Sequence, residues 1–90
     1  MILISYDIKD DKLRTRFSKF ILRFGYRMQY SVYSITNSDR ILDNIISEIN
    51  NNYMKKFQET DSVMIIKLSK TCELIRMGYC RHEDEEMVIV

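Results

Sequence analysis

The run Ile2-Leu3-Ile4-Ser5-Tyr6-Asp7 is apolar for most of its length and ends in a carboxylate, and Arg14 and Arg16 follow shortly after it. A carboxylate at the C-terminal end of a strand, with arginines on the next helix, suits a site for a divalent metal and a phosphate. A second arginine-bearing run comes later, Arg27-Met28-Gln29-Tyr30-Ser31-Val32-Tyr33. Arginine clamps a phosphate bidentately, serine donates to an oxygen, and an aromatic ring stacks or fills a seam. Arg27, Ser31 and Tyr33 share one parity if no bulge interrupts the strand. Asp7 alone does not complete a magnesium site, which usually takes one or two carboxylates plus waters and phosphate oxygens. Its simpler role is to hold a strand-to-helix turn, although Asp10 and Asp11 are also placed to cap the helix.

The elements that must position these residues are readable from periodicity. Residues 2–8 read as a central strand covered on both faces. Tyr6 then points away from Asp7, into the core. Leu13, Phe17, Phe20, Ile21 and Phe24 form one apolar stripe, with Lys12, Arg16, Lys19 and Arg23 opposite. Arg14 and Arg16 diverge by about 200° on a helix, so one points toward the Asp7 end and the other lies on the outer basic stripe. Gly25 is expected to stop this helix at C′.

Residues 26–36 read as strand, and their alternation changes phase. A bulge or a kinked hairpin is therefore expected between about Tyr30 and Tyr33. Asn37 or Ser38 caps a second helix with Ile41, Leu42, Ile45, Ile46, Ile49 and Tyr53 as its apolar stripe. The Asn50-Asn51-Asn52 run is expected to fray that helix within 50–57. Residues 62–68 form the clearest later strand, 75–79 a further one, and Met87-Val88-Ile89-Val90 a surplus apolar tail behind Glu83-Asp84-Glu85-Glu86. This order predicts one domain over 1–90, an α+β ferredoxin-like βαββαβ sandwich with an extra C-terminal strand. The tail from about residue 81 is expected to pair with the sheet edge of another subunit, the alternative being an extra strand on its own sheet.

Composition narrows the function classes. With 46% hydrophobic and 30% charged residues the chain is globular. A domain this small buries only roughly 60–65% of its unfolded surface, so oligomerisation would help it. No stretch is long and apolar enough to span a membrane, and the N-terminus is unlike a signal peptide. Cys72 and Cys80 have neither disulfide-framework nor zinc spacing and read as reduced thiols of a cytoplasmic protein, and His82 reads as a solvated loop residue. The net charge of +1 hides an asymmetry. Residues 1–40 carry eight basic and four acidic groups, giving +4, and the remainder six and nine, giving −3. An anionic partner for the N-terminal half follows from that split.

The motifs Tyr6-Asp7, Arg14-Thr15-Arg16 and Arg27-Met28-Gln29-Tyr30-Ser31-Val32-Tyr33 together resemble the small CRISPR-associated adaptation family, Cas protein two. That family has an apolar strand ending in Tyr-Asp, a helix with Arg-x-Arg, then Arg-x-Gln-x-Ser-Val-aromatic. The resemblance spans most of the chain; Tyr33 stands where the family often has phenylalanine. It implies a homodimer whose two Asp7 carboxylates share one magnesium, or manganese, ion. It also implies catalysis at Asp7 and nucleic-acid contacts from Tyr6, Arg14, Arg16, Arg27, Ser31 and Tyr33. In such a family the C-terminal strand crosses to the partner. The dimer sits between two dimers of the CRISPR integrase and holds duplex DNA, with endonuclease activity on RNA or DNA as a second expectation. A toxin-type ribonuclease of the virulence-associated family shares the fold and is the alternative.

Overall fold

A computed structural model describes residues 1–71 together with Glu73, Ile75 and Met77. Strand β1 (Ile2–Asp7) leads into helix α1 (Asp11–Leu22), strands β2 (Gly25–Gln29) and β3 (Val32–Ile35), helix α2 (Asp39–Glu48) and strand β4 (Ser62–Lys67). The four strands lie in the order β2-β3-β1-β4, and every neighbouring pair is antiparallel. This is the expected βαββαβ sandwich, with both helices on one face of the sheet. The described helices include none long and apolar enough to cross a membrane.

Strand alternation explains the two faces. Ile2, Ile4 and Tyr6 of β1 join Tyr33 and Ile35 of β3 under the helices, where they meet Leu13, Phe17, Ile21, Leu42 and Ile45. Leu3, on the opposite face, packs with Met28 and with the partly buried Met1, Tyr26 and Leu68. The helices start where short polar side chains can satisfy free backbone donors. The Asp10 carboxylate accepts the Leu13 N–H at 2.8 Å, and the Ser38 hydroxyl accepts the Ile41 N–H at 3.3 Å.

The glycine expected to end α1 has another reason to be there. The helix closes through two tight-turn bonds, Arg23 N–H to the Phe20 carbonyl at 3.2 Å and Phe24 N–H to that of Ile21 at 2.9 Å. Arg23 stays right-handed, and Gly25 is already the first residue of β2. A Cβ at Gly25 would lie 1.9 Å from the Ser34 carbonyl oxygen. The close approach of β2 to β3 therefore demands glycine, rather than a left-handed helix cap.

The phase change in residues 26–36 is a hairpin, turned at Tyr30-Ser31. An additional register shift lies just before the expected window: Arg27 pairs with Tyr33, but Gln29 already pairs with Val32. The bulge keeps Arg27 on the helix side while Met28 is buried on the outer face. After α2 the chain widens into a π-turn over Ile49–Tyr53, which contains the three asparagines, and then a 3₁₀ turn over Met54–Lys56. Asparagine favours local side-chain bonds over regular helix, as the Asn52 amide shows by donating to Glu48 at 2.7 Å. The strand expected over 75–79 and the tail Met87–Val90 lie outside the described residues, except that Ile75 and Met77 are exposed and in no strand.

Candidate active site

Asp7 ends β1 on the outer sheet face, the face of Leu3 and Ser5, and its side chain is 63% exposed. The Lys9 ammonium donates to its Oδ1 at 3.0 Å. The loop that follows is held from three directions. Ile8 is buried, which anchors the strand end. Arg14 Nη1 donates to the carbonyls of Ile8 and Lys9 at 3.0 and 3.2 Å. The Asp61 carboxylate, arriving from the connection before β4, accepts the backbone N–H of Lys9 at 3.0 Å and that of Gln58 at 2.8 Å. Arg14 is itself paired with Asp11, and that hydrogen bond raises its already high pKa. Asp7 is thus an accessible carboxylate on a braced loop.

Beneath it, on the helix side, lies a polar cluster inside an otherwise apolar core. The Tyr33 hydroxyl is 2.6 Å from Ser18 Oγ and 3.4 Å from the Tyr6 hydroxyl. Arg27 donates to the Tyr33 oxygen from Nε at 3.1 Å and from Nη2 at 2.9 Å, and to Ser18 Oγ at 3.2 Å. Burial, reinforced by the Tyr33 hydroxyl, pushes the Tyr6 phenol up to about 12. The cluster lets a half-buried guanidinium keep hydrogen-bond acceptors in place of water.

Two hollows open on this region. One, of about 370 Å³, lies between α1 and the β2–β3 hairpin and is lined by Ser18, Lys19 and Arg27 among others. The second, of about 580 Å³, reaches Asp7, Lys9 and Ser31. Tyr6, Arg14 and Tyr30 line both. A further hollow of about 370 Å³ lies between the end of α2 and β4; it is mainly apolar, with Asp61 at its margin.

Residues 1–74 match the family described as CRISPR associated protein Cas2. The chain belongs to that family. It is 31% identical over 74 residues to a Rhodospirillum rubrum protein named CRISPR-associated endoribonuclease Cas2 4, an alignment covering 82% of this chain and 57% of that relative. The chain therefore spans little more than half the length of this curated relative. Among solved structures, a hypothetical protein from Thermus thermophilus superposes with a TM-score of 0.75 at 20% identity, covering 89% of this chain and 92% of the other. Streptococcus pyogenes Cas2 superposes with a TM-score of 0.64 at 21% identity, covering 78% and 87%. Both likenesses concern the fold alone.

Within this Cas2 fold the motif residues separate into groups. Asp7 and Ser31 share the larger hollow, and the Ser31 carbonyl accepts the Tyr6 N–H at 3.2 Å. Arg27 and Tyr33 are brought together, but the turn and bulge keep Ser31 from sharing their face. Tyr33 is fully buried and Tyr6 nearly so, and their hydroxyls serve the internal cluster. Arg14 lies at the Asp7 end, whereas Arg16 stands over the Tyr53 ring with its Cζ 5.7 Å from the centroid.

The described chain presents one carboxylate, Asp7, at the end of β1 on the outer sheet face. Among the described residues, no three His, Cys, Asp or Glu side chains converge. Magnesium retains several waters and needs few protein carboxylates, so Asp7 would suit it only if a second carboxylate joined. Sequence reasoning missed Lys9, Ser18 and Asp61 as neighbours of the site, and had Lys19 only on the basic stripe of α1. Helical spacing could have shown part of this: Arg14, Thr15, Ser18, Lys19 and Leu22 lie on one face of α1 and line the smaller hollow. The Asp61 brace depends on a contact between residues 52 positions apart and has no local signal.

Proposed function

We propose that this protein is a homodimeric, nucleic-acid-binding subunit of CRISPR adaptation, holding duplex DNA beside the integrase, with phosphodiester hydrolysis centred on paired Asp7 carboxylates. Membership of the Cas2 family supports the adaptation role, and the name of the Rhodospirillum rubrum relative supports the nuclease. The observation that carries the reading is the exposed Asp7 on a braced loop, opening into a hollow that Arg14 also lines.

Dimerisation through the outer sheet face would bring Asp7 of the partner subunit toward this one. The exposed Met64 and Ile66 on that face give such an interface apolar surface to bury. A magnesium or manganese ion held between the two carboxylates would polarise the phosphodiester and lower the pKa of a bound water. The chain's own residues brace the loop after Asp7, through Arg14 and Asp61, and Lys9 and Arg14 place positive charge in the hollow beside it. For duplex binding, Lys12, Arg16, Lys19 and Arg23 present an exposed basic surface on α1. Such contacts carry no base information and weaken with salt, at a slope of about −0.9 per phosphate neutralised. The toxin-type ribonuclease would use the same fold without an integrase, and the family match favours the CRISPR role.

The test is cleavage of labelled single-stranded RNA and of duplex DNA, with magnesium or manganese, by wild type and Asp7→Ala purified in parallel. Activity lost in a folded, dimeric Asp7→Ala protein establishes the nuclease. Equal cleavage by both proteins, or none, removes the nuclease and leaves duplex binding, read by salt-dependent anisotropy with integrase present, to test the scaffold.

A further inference from the structure

Tyr30 is an aromatic residue at the tip of the β2–β3 hairpin and is 73% exposed. A lone exposed aromatic is ordinary on a protein surface. Its position is the informative feature, because its side chain lines both hollows flanking Arg14 and Tyr6. Among the described residues, its hydroxyl has no hydrogen-bond partner. The hairpin beneath it is pinned by the Arg27 bonds to Tyr33 and Ser18, so the ring is carried on an ordered support.

The positive charges around it are of two kinds. Arg14 and Arg27 are fixed by their internal hydrogen bonds yet still line the hollows. Lys19, on the α1 wall, has no ion-pair or hydrogen-bond partner among the described residues and is exposed. The combination is two neighbouring hollows that share Tyr6, Arg14 and the exposed Tyr30 ring, with Arg27 and the unpartnered Lys19 ammonium lining one and Asp7 lining the other. Grooves that hold single strands combine cations for the backbone with aromatic faces for unstacked bases. A duplex keeps its bases stacked on one another, so it could present one to Tyr30 only after local unstacking.

Building on the nucleic-acid role proposed above, we infer that the groove between α1 and the β2–β3 hairpin is a single-strand subsite. One base stacks on Tyr30, its backbone phosphates meet Lys19, and the strand runs toward Asp7. The subsite accepts any base, because stacking on Tyr30 uses the π-face that every base has. RNA and DNA single strands share this chemistry.

The experiment is fluorescence anisotropy with a labelled ten-nucleotide uridine RNA, its deoxyuridine counterpart and a duplex of the same length. Binding is measured in EDTA at low salt for wild type, Tyr30→Phe, Tyr30→Ala and Lys19→Gln. Tyr30→Phe should bind single strands as wild type does. Tyr30→Ala should lose about 5- to 150-fold, the effect of removing one base–aromatic stack, with duplex affinity changed less than about twofold. Lys19→Gln should flatten the salt dependence for single strands. The subsite is overturned if wild type binds no single strand, if Tyr30→Ala binds as wild type, or if it weakens duplex and single strand alike. It is also overturned if the loss follows a change of oligomeric state in parallel sedimentation runs. Binding in EDTA is independent of cleavage, so a wild type that binds through Tyr30 and cuts nothing sinks the nuclease but keeps the subsite.

Discussion

Arg27 and Tyr33 face each other across the β2–β3 hairpin, and the guanidinium donates to the phenol oxygen from Nε at 3.1 Å and from Nη2 at 2.9 Å. Tyr33 is fully buried, so this oxygen is the means by which a charged side chain on β2 reaches into the core. Ser18 completes the arrangement from α1 at 2.6 Å. The hairpin, the central sheet and the first helix are therefore tied through one hydroxyl.

Replacing Tyr33 with Phe keeps the ring and removes that hydroxyl. Arg27 would retain only its 3.2 Å bond to Ser18 within the cluster. The expected loss is about 1–3 kcal/mol, the range for leaving a partly buried donor without its acceptor. Urea unfolding followed by far-ultraviolet circular dichroism measures it. A loss below about 0.5 kcal/mol would mean that the guanidinium swings out to water.

Alkaline stability should report on Tyr6. Burial and the neighbouring Tyr33 hydroxyl raise its pKa from 10.0 to about 12 in the folded protein. The fold favours the neutral phenol, so this stabilisation is complete below about pH 10 and is lost as pH rises toward 12. Tyr53, raised chiefly by burial, acts in the same direction. Unfolding free energies should fall by roughly 2 kcal/mol across that window because of Tyr6, and Tyr6→Phe should have a shallower fall. Equal slopes for the two proteins would remove Tyr6 as the cause.

Gly25→Ala should be among the most damaging single-methyl changes in this chain. The added carbon would sit 1.9 Å from the Ser34 carbonyl oxygen and 2.7 Å from the Ile35 Cα, both of which are backbone. Separating β2 from β3 is the only relief, at a loss of about 3 kcal/mol or more. A thermal midpoint within a few degrees of wild type would show that the hairpin yields easily.

This glycine also shows where sequence reading reaches its limit. A glycine after an apolar helical stripe fits a helix cap and a close strand crossing equally well, and only the partner strand decides between them. The two helices, β1 and β4 were legible because their apolar spacing must match the period of the element that buries it. The hairpin was legible as a phase change, but the Arg27–Gln29 register shift was not, since several bulge positions satisfy the same alternation. At the site, Asp7 was visible as a carboxylate ending an apolar strand. That Arg27 spends its donors on Tyr33 while Tyr30 is left in the open depends on which way the bulge turns each side chain.

Asp61 should matter more than its place in a connecting segment suggests. It accepts from Lys9 and Gln58, joining the loop after β1 to the loop before β4. Asp61→Ala should lower stability by roughly 1 kcal/mol, because both donors can find water in a solvent-accessible loop. The sharper readout is hydrogen exchange. The Lys9 and Gln58 amides should exchange at least several-fold faster, while those within β1 remain protected. Unchanged exchange at Lys9 would rule out Asp61 as the brace of the Asp7 loop.

Asp7→Ala should leave the fold intact. The carboxylate is 63% exposed and its pair with Lys9, itself 53% exposed, is of the surface kind that contributes little. Stability should change by less than about 0.5 kcal/mol. Self-association should respond differently. If the outer sheet faces meet, two Asp7 carboxylates approach and repel, with Lys9 offsetting part of the charge. Without divalent metal, Asp7→Ala should therefore dimerise as tightly as wild type or more tightly. Magnesium should strengthen the wild-type dimer and leave the variant unchanged, since only wild type has carboxylates to share an ion. Sedimentation equilibrium with and without magnesium separates these outcomes. An equal magnesium response in both proteins would place the ion away from Asp7, and no response in either would remove the shared metal.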